Sequence, residues 1–214
     1  VKKILCMLLV CLLLFSGCGQ LTSTPIQEEV RSEVREIDIQ KAFISFTAHY
    51  YVAENNEEIG EVTGEFLPIF GDTFSYTDME GNVIAKEYEN KRLLNLSFNR
   101  EAEVVDANEN IVGYIGEDVV QDLFNIGYKF HFYDAEQKEI GYTQQVILSL
   151  LGEQDVYNVE GELVAKINRN FTIFTKEYTL SIYSDDIPEE QLIFFACIID
   201  AIQTAEEEES KNEE

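Results

Sequence analysis

Histidine, cysteine and isolated carboxylates are the residues of this chain that could do chemistry, and each is sparse or poorly placed for catalysis. His49 and His131 are the only two histidines. Both fall in stretches with strand-like alternation, and neither has the i, i+4 partner of a helical zinc site. Three of the four cysteines, Cys6, Cys11 and Cys18, stand near the start, which leaves Cys197 as the one thiol of the remainder. Cys197 sits within an apolar run, so packing is expected of it rather than nucleophilic work. Asp200 is the single polar residue between 192 and 202. An ionised carboxylate in an apolar core needs partners. Two roles suit it: a helix-end aspartate reaching backbone or solvent at the mouth of the fold, or the wall of a small polar opening there. There is no G-x-S-x-G, no Walker loop and no G-x-G-x-x-G after a strand. Among 41 acidic residues, carboxylate pairs are no signature of a glycosidase. The chain reads as non-catalytic, with no cofactor and no metal.

The 41 acidic residues face 15 basic ones, for a net charge of -26. Such a surface repels phosphate backbones and anionic headgroups, which excludes nucleic acid as a partner. The basic residues are densest at Lys86, Lys91, Arg92, Arg100, Lys166, Arg169 and Lys176; their spacing does not say whether they converge. The end, AEEEESKNEE over 205–214, is a run of like charge expected to form a solvated, disordered tail.

The first residues read as an address. Lys2 and Lys3 precede an uncharged apolar stretch over 4–15, then Ser16-Gly17-Cys18. This is a secretory signal over 1–17. Its end, FSGC, resembles the lipobox of bacterial lipoproteins, with Phe15 where leucine is commoner. The resemblance implies a diacylglyceryl group on Cys18, which becomes the first mature residue and anchors the protein to the outer face of a bacterial cell membrane. Several acyl chains on one residue give stable anchoring. Residues 18–40 then read as lipidated cysteine and tether, with Val30, Val34 and Ile37 at the spacing of a short amphipathic helix. With Cys18 acylated, no intramolecular disulfide is possible, so stability must come from a core.

From 43 to 184, a ten-residue pattern recurs: YVAENNEEIG from Tyr51, YTDMEGNVIA from Tyr76, VVDANENIVG from Val104, FYDAEQKEIG from Phe132 and VYNVEGELVA from Val156. Each copy opens on an aromatic or β-branched residue and closes on an aliphatic one followed by Gly or Ala. Asp78, Asp106, Asp134 and Asn158 can start a turn by accepting from backbone amides, and Gly81 and Gly161 can supply positive φ. Each copy is therefore a β-hairpin. None has the spacing of a calcium loop. Five hairpins, with strands over 168–174 and 177–184, make about twelve strands. A sheet of that size splits or closes, and a closed barrel that wide needs something in its middle.

The filler is the stretch 191–204, QLIFFACIIDAIQT, apolar on all sides and half the length of a membrane span. Its central buried residues are Leu192, Ile193, Phe194, Phe195, Cys197, Ile198, Ile199 and Ile202. Asp186-Ile187-Pro188-Glu189 reads as a capping box in front of it. The hairpin rhythm together with IIDAI over 198–202 resembles the tubby C-terminal superfamily, within it the LURP-one-related group, with phospholipid scramblases as distant relatives. The resemblance implies a twelve-stranded antiparallel barrel around a central C-terminal helix over 41–204. It transfers no ligand site, because no basic pocket motif matches here. The function expected is a non-catalytic binding or interaction module at the membrane surface, its partner an extracellular protein, a wall component or a lipid. The alternative is a lipid-handling protein acting on the membrane that holds it.

Overall fold

The computed structural model describes residues 34–42, 47–67, 71–89, 100–121, 126–144, 153–171 and 176–212. The leader, Cys18, the tether up to 33, Lys91 and Arg92 lie outside the described residues. Twelve strands follow one another: β1 (Arg35–Lys41), β2 (His49–Glu54), β3 (Glu57–Leu67), β4 (Gly71–Asp78), β5 (Val83–Glu89), β6 (Arg100–Asp106), β7 (Ile111–Gln121), β8 (Ile126–Asp134), β9 (Glu139–Thr143), β10 (Glu153–Asn158), β11 (Leu163–Phe171) and β12 (Lys176–Ile182). One helix, α1 (Glu189–Asn212), comes after them. Each strand pairs antiparallel with its neighbours in sequence, and β1 closes the ring against β12. Closure leaves no strand edge to template aggregation.

The twelfth strand is not the one expected. Residues 168–171 are the end of β11, and the count is completed by β1, which the helical spacing of Val30, Val34 and Ile37 had assigned to the tether. The stronger signal in REIDIQK is period two: Ile37 and Ile39 are fully buried, while Glu36, Asp38 and Gln40 face out. The barrel therefore begins at Arg35.

Each repeat does two jobs. In the four later copies the turn residue caps its own loop: Asp78 Oδ1 accepts from the Glu80 and Asn82 amides at 2.9 and 2.8 Å, and Asn158 Oδ1 from the Glu162 amide at 2.8 Å. The left-handed position that follows is filled by Gly81, Glu109, Gln137 and Gly161, with φ of 84, 61, 63 and 84°. The ninth residue of each copy, Ile59, Ile84, Val112, Ile140 or Val164, is the extra residue of a β-bulge, because the register slips by one at that point in all five hairpins. A bulge raises local twist and curvature, which a barrel needs in order to close. The tenth residue is small where the helix and its lead-in press on the wall. A Cβ on Gly113 would stand 2.2 Å from Gln191 Nε2, and one on Gly141 2.5 Å from Ile187 Cδ1.

Helix α1 enters at the turn end of the barrel. The Pro188 carbonyl accepts from the amides of Gln191 and Leu192 at 3.1 and 3.3 Å. Asp186 is not the cap expected of it: its Oδ2 accepts from Ser184 Oγ and Asn158 Nδ2, both at 2.9 Å, tying the lead-in to the β10–β11 turn. The Gln191 amide reaches the wall, donating to the Tyr133 carbonyl at 2.9 Å and the Tyr114 carbonyl at 3.3 Å. Further along, Phe195 meets Phe130 and Phe132 edge-on at 4.8 and 5.1 Å between ring centroids. Such pairs contribute about 0.5–1.5 kcal/mol each beyond area burial. The acidic run after Thr204 differs from the disordered tail expected, since α1 continues to Asn212. Ala, Glu and Lys are good helix formers, and no Gly or Pro interrupts them.

Candidate functional site

The polar centre of the molecule lies at the other end, the mouth. Alternation along β2 and β12 turns Tyr50 and Tyr178 inward, and Lys41 and Lys176 stand at the mouth ends of β1 and β12. Lys41 is opposite Tyr50 in the β1–β2 ladder, and Ile39 is opposite Tyr178 in the β1–β12 ladder, so all four side chains converge on one turn of α1. There they meet Asp200, which is fully buried. Its Oδ2 accepts from Lys41 Nζ at 2.5 Å and Tyr50 OH at 2.8 Å; its Oδ1 accepts from Tyr178 OH at 2.8 Å, with Lys176 Nζ at 3.6 Å. Thr204 Oγ1 donates to the Asp200 carbonyl at 2.8 Å and accepts from both lysines.

Burial alone would raise the Asp200 carboxyl, but the charge and hydrogen bond of Lys41, followed by Lys176 and Tyr178, outweigh it and hold the group below its ordinary value. Both tyrosines are pushed up, first by burial and then by the surrounding charges, so they remain neutral donors. Asp200 thus reaches neither backbone nor solvent as its acceptor role requires none there; its two oxygens are occupied by side chains of β1, β2 and β12. This constellation gathers two lysines and two phenols around one carboxylate. It binds the helix to the barrel seam, where the first and last strands meet.

The other residues singled out from the sequence fall as follows. Leu192, Ile193, Phe194, Phe195 and Cys197 are fully buried, Ile199 and Ile202 nearly so. Ile198 is only partly buried, because it lines a cavity between α1 and strands β4 to β8. Phe74, Ile115 and Phe130 form the apolar walls of this cavity, Glu87 and Glu117 stand on its inner face, and its volume is about 30 Å³. Cys197 is a free thiol pushed well up by burial and then by the charge of Asp200. His49 and His131 lie on the outer face, bonded to Glu61 at 2.8 Å and Glu139 at 2.7 Å. Lys86 pairs with Glu109, and Lys166 with Glu153, on strands β5 and β11 at opposite sides of the ring. These two lysines form no common patch.

Sequence reasoning missed Lys41, Lys176, Tyr50 and Tyr178. The signal for the tyrosines was available, since a buried phenol needs a partner and both occupy inward positions of alternating strands. The pairing of Tyr50 with Asp200 across 150 residues was not.

These features define a class: an up-and-down antiparallel barrel of twelve strands, closed by its first and last strands and filled by a C-terminal helix. The chain is similar in structure to an Arabidopsis thaliana protein solved by X-ray crystallography, with a TM-score of 0.53 at 12% identity, over 78% of this chain and 91% of that one. The likeness is one of fold alone. No family model matches the chain, and no curated protein does.

Proposed function

We propose that this protein is a lipoprotein held through acylated Cys18 at the outer face of a bacterial membrane, with its barrel acting as a non-catalytic binding module. The observation that carries this reading is the filled interior. Helix α1 occupies the barrel, and among the described residues the larger of the two cavities beside it has a volume of about 30 Å³. That admits a few waters or the tip of a chain, where an enclosed small-molecule site has several hundred Å³. Recognition therefore falls to the ends and outer face of the barrel, and the partner is an extracellular protein, a wall component or a small molecule.

Lipid handling would require α1 to leave the barrel, breaking the Asp200 contacts. Among the described residues no helix is long and apolar enough to cross a membrane. Two measurements test the proposal. Growth of a bacterial host with a labelled fatty acid should label the protein, and the Cys18→Ala variant should carry no label; a labelled variant removes the anchor from the reading. Peptide-level thiol labelling should leave Cys197 protected with neutral and with anionic vesicles. Deprotection on vesicle binding would replace the binding module with the lipid-handling alternative.

A further inference from the structure

Strand β1 is fastened to α1 at both of its ends. At the turn end Arg35 Nε donates to Glu54 at 2.8 Å, and Arg35 Nη1 donates to Glu189, the first residue of α1, at 2.6 Å. At the mouth Lys41 Nζ donates to Asp200 at 2.5 Å and to Thr204 Oγ1 at 3.3 Å. One strand therefore spans the filler from its entry to its last buried turns. The same strand has little else inside: only Ile37 and Ile39 point into the core, while Glu36, Asp38 and Gln40 are exposed on the outer face. β1 is also the first strand of the ring, so it can peel away as an end, whereas each later strand is joined to another element on both sides. End segments open at lower free energy than the centre of a fold. What sets this end apart is the effect of its departure on the helix. Asp200 is fully buried, and Lys41 is its shortest contact. Taking one partner from a buried charge is costly, so the turn of α1 that carries Asp200 is held less firmly once Lys41 has left.

We propose that β1 is a strap, which opens together with the mouth half of α1 as one unit while β4 to β8 stay closed. The ion pairs at its two ends make the coupling: release of Arg35 frees the strand from the start of the helix, and release of Lys41 loosens the turn around Asp200. The strap is covalently continuous with the residues before Val34, so tension on those residues is passed to the filler helix. The device goes beyond the binding-module reading and needs neither acylation of Cys18 nor a particular partner, so the two can fail separately.

The test is native-state hydrogen exchange of the full-length chain, read amide by amide across low denaturant concentrations. In the wild-type chain the amides of β1 and of residues 199–204 should follow one opening isotherm, and exchange at least about tenfold faster than those of β4 to β8. Lys41→Met should speed exchange in both segments by a further factor of about ten, with β4 to β8 changed by less than about twofold. Arg35→Met is the sharper variant, because Arg35 touches neither Asp200 nor the mouth. It should speed exchange at residues 199–204 as well as in β1, whereas an ordinary local ion pair would change only its own end. Separate isotherms for the two segments, exchange of both at the rate of β4 to β8, or an Arg35→Met effect confined to the turn end overturns the proposal.

Discussion

The two ends of the barrel are built on opposite plans. At the turn end, five copies of one short pattern each make a hairpin, a bulge and a small inward residue, from interactions that span only a few positions. At the mouth, one carboxylate draws side chains from β1, β2 and β12 across most of the chain. The first plan is repeated and local, so a change in one turn leaves the contacts within the other turns in place. The second is singular, because no other residue can take the place of Asp200.

Five substitutions would break or sharpen that contrast. Asp200→Ala should cost the most, about 3 kcal/mol in denaturant unfolding, because it removes the one carboxylate that two lysines and two buried phenols share; a loss under about 1 kcal/mol would mean that the hub is redundant after all. Gly113→Ala should follow at about 2 kcal/mol, since its Cβ would meet Gln191 Nε2 at 2.2 Å and the Tyr133 carbonyl at 2.3 Å. Gly81→Ala should cost about 1 kcal/mol, a purely conformational penalty, because the position has φ of 84° and nothing within 4 Å of the new Cβ. The same equilibrium unfolding series ranks these two. Asp78→Asn should be smallest, within about 0.5 kcal/mol, as Asn158 already performs the same turn role, whereas Asp78→Ala should approach about 1 kcal/mol.

The hub also has a pH signature. The folded Asp200 carboxyl lies below its ordinary value of 3.8. Its contribution is therefore fully present above the unfolded value, and is lost as pH falls through the lowered folded one. Stability measured from neutral pH down through the carboxylate range should fall less steeply in Asp200→Asn than in the wild-type chain. Parallel curves would show that Asp200 keeps its ordinary titration and that the lysines do not hold it.

Legibility followed the same division. The hairpins could be read because Asp78, Asp106, Asp134 and Asn158 act on amides two to four residues away, and because inward Phe130 and Phe132 alternate with outward Lys129 and His131. The helix could be read because an apolar stretch with a single aspartate has no other place to go. β1 was misread, since Ile37 serves both a period of two and a helical spacing with Val34, and its pairing with β2 and β12 bears out the first. Asp186 was misassigned for a similar reason: a capping pattern is compatible with several acceptor geometries, and the turn carrying Asn158 happens to stand beside it.

The sequence by itself determined the strand rhythm, the turn chemistry, the need for a filler and the identity of that filler, because each depends on neighbours in the chain or on the bulk cost of exposing apolar surface. Only the tertiary structure decided which strand closes the ring and which cations and phenols meet Asp200. Those contacts join residues that share no local signal; they exist because closure brings the first strand, the last strand and the helix to one seam.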